Sequence, residues 1–179
     1  MEAAVQAVMR DAAAHREQFA AFSRSLADEQ LQAPIAGATW VAKDYIAHLA
    51  TIDIWVNEWF EHQADGRPWR PTGEGGEAFS IDTWNEARID ERRNATIGEL
   101  LAEAAEHRAR LTRTVDRFAP AVLDASFEFH NQTITFLRYL QLWTAHDPAH
   151  ATDMLKAMPG FSPNAAASDW LTRAGFAPA

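Results

Sequence analysis

The histidines of the 179-residue chain are scattered except for one pair, His146 and His150, in the run His-Asp-Pro-Ala-His. Four positions on a helix are one turn plus about 40°, so both imidazoles can reach one point. Two neutral imidazoles at that spacing make a two-point clamp for a divalent transition metal. A third from a facing helix completes three ligands and leaves one position open. His48 is the candidate third. At about 100° per residue, Val41, Tyr45, His48, Ile52, Trp55 and Trp59 share one helical face, with His48 in the middle of the apolar stripe. In the last helix, Leu142, Trp143, His146, His150 and Asp153 share a face, flanked by Tyr139 and Met154. The competing interpretation is a hydrogen-bonded core histidine at position 48 and a chance pair at 146 and 150. Burying three polar rings without partners would cost ~1–3 kcal/mol each, and a shared ion satisfies them together. His15, His62, His107 and His130 have no common focus and are expected at the surface or in loops.

Composition narrows the chemistry. The chain has no cysteine, which excludes disulfides, thiolate metal ligands and a cysteine nucleophile. Any thiol must arrive with a small molecule. No serine–histidine–acid or paired-carboxylate arrangement competes with the histidines. A net charge of −9 argues against nucleic-acid phosphates or anionic membranes as partners. No run of about 18 apolar residues exists to span a membrane. The first stretch carries Glu2, Asp11 and Glu17 among alanines, unlike a secretory signal, so a cytoplasmic location is expected.

The elements that would position these residues are helical almost throughout. Apolar spacing predicts a long helix from about Ala3 to Asp28 and a second, capped by Thr39, to about Gln63. Residues 64–79 are crowded with glycine and proline and are expected to form a long surface loop, either a lid over the site with Trp69 as its apolar contact or a solvated connection. A helical piece follows from about Ser80 to Arg93. Thr96-Ile-Gly-Glu99 matches a capping box and predicts a fresh helix from Ile97 to Phe118, stopped by Pro120. Residues 126–130 alternate like a strand without an obvious partner. A last long helix is predicted from about Thr133 to Met158, and a short one around Ala167–Arg173. Pro148 removes one bond of the last long helix, so a kink is expected there. With no linker or repeat, residues 1–179 are expected to form a single all-α domain, an up-down four-helix bundle.

Three motifs resemble the DinB/YfiT-like superfamily. Trp40-Val-Ala-Lys-Asp44-Tyr-Ile-Ala-His48-Leu49 is similar to its second-helix signature. His146-Asp-Pro-Ala-His150 resembles its last-helix His-x-x-x-His, and Ile81-Asp-Thr-Trp84-Asn85-Glu86 is similar to the opening of its third helical segment. The resemblance spans nearly the whole chain in the right order. It implies a DinB-like four-helix bundle with His48, His146 and His150 as ligands of a divalent metal, often zinc or nickel. It also implies activities such as thiol-dependent isomerases and S-transferases that use mycothiol or bacillithiol. Where many relatives carry glutamine three residues after the last ligand, this chain has Asp153. That carboxylate could orient His150, add a fourth ligand, or belong to the solvated edge of the helix.

Around the metal position, Asp44 lies one turn before His48, either accepting from its other ring nitrogen or complementing the helix dipole. Trp84 and Asn85 are either pocket residues or, for Trp84, core. Trp55, Trp59, Tyr139 and Trp143 are core or pocket wall. The expected function is a metal-dependent enzyme acting on a small molecule, by thiol-dependent transfer or isomerisation or by hydrolysis. The alternatives are a non-catalytic small-molecule or metal-binding, stress-resistance protein, and a dimeric bundle with a purely structural metal. Seven tryptophans, together with the resemblance, lead to the expectation of a homodimer.

Overall fold

The computed structural model describes residues 2–37, 39–67, 79–129 and 132–176. Most of the loop predicted at 64–79, Trp69 included, lies outside the described residues, as does His130. Nine helices and one hairpin are found among the described residues, and they divide into two compact units, Met1–Tyr45 with Leu123–Ala179, and Ile46–Val122.

The first unit is built on α1, Glu2–Arg24, whose apolar stripe buries Val5, Met9, Ala12, Phe19 and Phe22. A single turn, α2 (Asp28–Leu31), follows. The next helix, α3 (Ala42–Ala64), begins three residues beyond Thr39. Thr39 is therefore not its cap; the Asp44 carboxylate accepts from the Val41 backbone N–H at 2.9 Å and satisfies that end instead. On α1 pack α7 (Phe136–Thr144), α8 (His146–Lys156) and α9 (Ala165–Arg173). Phe19, Phe22, Leu140, Met154 and Leu171 are fully buried in this unit.

Two expectations for this unit are corrected. The strand at Ser126–Phe129 (β1) does have a partner, Gln132–Thr135 (β2), antiparallel with Phe127 opposite Ile134. The residues predicted to open the last helix, Thr133 to Thr135, pair as strand, as β-branched residues favour, and the Thr135 hydroxyl then accepts from the Arg138 N–H to start α7. Nor is the last helix continuous. It stops at Thr144 and restarts at His146, with Ala145 between. Pro148 explains the break. Within an unbroken helix its ring would clash with the Thr144 carbonyl. In the first turn of α8 its missing N–H has no partner to lose. Leu142, expected on the histidine face, is 41% exposed.

In the second unit, most of α3 accompanies α4 (Ile81–Glu91), α5 (Ile97–Val115) and the opening of a short α6 (Pro120–Asp124). The helix expected to reach Phe118 and stop at Pro120 ends earlier, at Val115, and Pro120 starts α6, a position its fixed φ suits. The Thr96 hydroxyl accepts from Glu99 N–H at 3.2 Å, and the Glu99 carboxylate accepts from Thr96 N–H at 2.7 Å, completing the predicted capping box. The Leu49, Val56, Phe60, Leu100 and Leu111 side chains form the core of this unit. Polar cross-links fix α3 against α5: Arg108 donates to Asp53 (2.8 Å), Thr114 to Asn57 (2.6 Å) and Arg110 to Glu61 (3.0 Å), while Arg117 donates to Asp65 just past α3 (2.6 Å). The first and last pairs set the sense: α3 and α5 run in the same direction. That arrangement needs a long return connection, which residues 65–96 provide.

Candidate metal centre

His48 lies in the first half of α3, 5% exposed, where the apolar stripe placed it. His146 and His150 begin and continue α8. Their rings tilt at 59° with centroids 4.4 Å apart, and His150 Nε2 stands 2.9 Å from His146 Nε2. One ligand atom from each of His48, His146 and His150 lies within 4.8 Å of the others, and among the described residues this is the group able to share an ion. Ligand nitrogens at ~2.0–2.1 Å from a tetrahedral ion stand roughly 3.3 Å apart. His146 and His150 at 2.9 Å are close to that figure and all three donors lie within 4.8 Å of one another, so they fit a divalent cation with side-chain adjustment.

Around this group the first unit contributes two further side chains. Asp153 Oδ2 lies 3.7 Å from His150 Nδ1, and Asp153 Oδ1 accepts from Lys156 Nζ at 3.0 Å. The 3.7 Å separation is an ion-pair distance rather than a hydrogen-bond length. His150 first, then Lys156, hold the Asp153 carboxyl below the ordinary aspartate range against the opposing effect of burial. Its carboxylate therefore sits on the ring nitrogen of His150 that faces away from His146. The second side chain, Tyr45, was visible on the stripe but not singled out as a site residue. Its ring meets His150 edge-on at 4.7 Å and Trp40 at 5.3 Å. Burial, then the charge of Asp153, pushes the Tyr45 phenol up from its usual value, so it stays protonated.

The other predicted site residues have contacts of their own. Asp44 serves the α3 terminus, one of the two roles open to it. Trp55 stacks on Phe79 at 5.7 Å with an interplanar angle of 15°, and leans on Trp59 at 5.9 Å. Trp84 is half-buried beneath the Arg88 guanidinium, 5.7 Å from its ring centre. Asn85 is buried, with no hydrogen-bond partner for Oδ1 among the described residues. Tyr139 packs against Phe129 (5.2 Å) and Phe127 (5.9 Å) of the hairpin, and Trp143 is buried on α7. His15, expected at the surface or in a loop, is partly exposed and accepts from Trp170 Nε1 at 2.8 Å, joining α1 to α9.

Sequence reasoning also missed two buried ion pairs. Arg16 on α1 grips Asp147 on α8 with two bonds, Nε to Oδ2 at 2.8 Å and Nη2 to Oδ1 at 3.0 Å. Arg108 on α5 bonds Asp53 on α3. No local pattern reveals partners this distant in the chain. The available signal was charge inside apolar helices: Asp53 stands between Ile52 and Ile54 in α3, and Arg16 interrupts the stripe of α1.

A family model of the DinB superfamily matches residues 11–154. The chain belongs to the DinB superfamily. Among solved structures, it is similar to YfiT from Bacillus subtilis, described as a probable metal-dependent hydrolase with an unusual four-helix bundle topology. The likeness has a TM-score of 0.66 at 16% identity and covers 85% of this chain and 84% of YfiT. That degree of likeness establishes the DinB-like four-helix bundle fold. No curated protein matches the chain. The DinB fold thus carries here the three-histidine group with Asp153 and Tyr45 against His150. Among the described residues, no helix is long and apolar enough to cross a membrane.

Proposed function

We propose that this DinB protein is a metal-dependent hydrolase of a small molecule, with His48, His146 and His150 as the ligands of one divalent ion. The observation that carries the reading is the convergence of three imidazole nitrogens within 4.8 Å, with no carboxylate in the group. Three neutral ligands leave the ion its full charge and an open coordination position, the pattern of catalytic sites; structural zinc usually has four protein ligands. Such an ion, when bound, supplies Lewis acidity and lowers the pKa of water at that position. Asp153 orients the His150 ring and raises its basicity, as carboxylates behind metal-ligating histidines do. Tyr45 fixes the same ring from its edge and excludes water from it. Hydrolysis is preferred over thiol-dependent transfer because the structurally similar YfiT is described in those terms. Zinc and nickel suit an all-imidazole donor set.

The test is turnover by metal-loaded protein against a panel of small esters, amides and phosphoesters, each with and without an added thiol. Metal-dependent hydrolysis without thiol, lost in His146→Ala, supports the proposal. Turnover only with thiol would make the protein a transferase. Metal binding with no turnover in any arm would make it a binding protein.

A further inference from the structure

We infer that the buried Arg16–Asp147 pair is a positioning clamp that aims His146 and His150. This rests on the metal-site reading above. Asp147 directly follows His146 in the first turn of α8. That turn has no side-chain cap, since Ala145 offers none. α1 holds that turn from outside the helix through Arg16, which bonds Asp147 twice.

The chemistry of the pair suits that task. The two side chains are 5% and 1% exposed, so both charges are desolvated. Replacing such a pair with apolar residues of similar volume is often neutral or stabilising, so stability alone is a weak reason for its presence. A planar guanidinium making two bonds to a carboxylate fixes distance and direction together, which an apolar contact does not. An apolar contact would let the first turn of α8 slide or rotate on α1. His146 and His150 ride on that turn and the next, so a shift of the first turn relative to the second changes their 2.9 Å Nε2–Nε2 approach.

The experiment compares the unmodified chain, Arg16→Lys, and the double variant Arg16→Met/Asp147→Leu. Co²⁺ titration followed by visible absorption reads the geometry and affinity of the site. The ¹⁵N imidazole signals of His146 and His150 in metal-free protein read ring order without metal. The double variant should remain folded, bind Co²⁺ ~10–100-fold more weakly, and show shifted, broadened signals for both rings. Arg16→Lys keeps the charge but not the two-pronged geometry, and should recover only part of the affinity. A folded double variant with unmodified affinity and ring signals would overturn the clamp. Should the double variant fail to fold, unchanged affinity in Arg16→Lys would overturn it equally. If the unmodified chain itself binds no Co²⁺, the metal reading fails, and the metal-free ring signals still decide the clamp.

Discussion

Asp153 and His146 address opposite nitrogens of His150: the carboxylate lies 3.7 Å from Nδ1, while His146 Nε2 lies 2.9 Å from Nε2. Of the three roles the sequence left open for Asp153, this geometry favours orienting His150. Asp153→Ala should therefore weaken metal binding ~10–100-fold without abolishing it. His150→Ala should remove nearly all binding. Isothermal titration of both variants with Zn²⁺ checks the difference; equal losses would make Asp153 a ligand.

Acid should remove one contribution to stability from the second unit. Burial pushes the Glu103 carboxyl up, but the Arg92 guanidinium, bonded at 2.6 Å, and then His107 together hold it below its ordinary value. A carboxyl depressed in the folded state stabilises the fold fully above the unfolded-state value, about 4.3. That contribution fades as pH falls below it and through the folded-state value. In Arg92→Gln, urea midpoints measured from pH 7 to pH 3 should fall less over the acid part of that range than in the unmodified chain.

Much of the fold is legible locally. The apolar spacing of α1, α3 and α5 repeats within each helix, and Thr96 with Glu99 announces the start of α5 within four residues. The hairpin was half-hidden because Thr133, Ile134 and Thr135 sit against a strongly helical run, and propensity there is decided by pairing with β1. Pro148 announced a disturbance but not that the helix would restart at His146. At the candidate site, the histidine spacing and the His48 stripe are sequence properties. The Arg16–Asp147 and Tyr45–His150 contacts depend on tertiary packing, which no local pattern encodes.

The capping box offers a clean test of α5. Thr96→Ala removes the hydroxyl that accepts from Glu99 N–H and should destabilise the protein by ~1 kcal/mol. Chemical denaturation with an unchanged slope would measure it; no change in midpoint would show that the cap contributes nothing.

Helix α9 is anchored through Trp170, which is 3% exposed and donates to His15. Trp170→Ala should lose ~3–5 kcal/mol, the usual range for deleting a buried aromatic. Trp170→Phe keeps most of the packing but leaves His15 Nδ1 without this donor, and should lose less. The two unfolding midpoints order the contributions; equal losses would assign the anchor to the hydrogen bond.

The most direct measurement is the metal content of purified protein after equilibration with Zn²⁺ or Ni²⁺ and removal of excess, by elemental analysis. About one divalent ion per chain is expected, falling close to zero in His48→Ala, His146→Ala and His150→Ala while each variant remains folded. A chain that retains no ion, or one whose content is unchanged in both the His48 and His150 variants, would contradict the three-histidine centre.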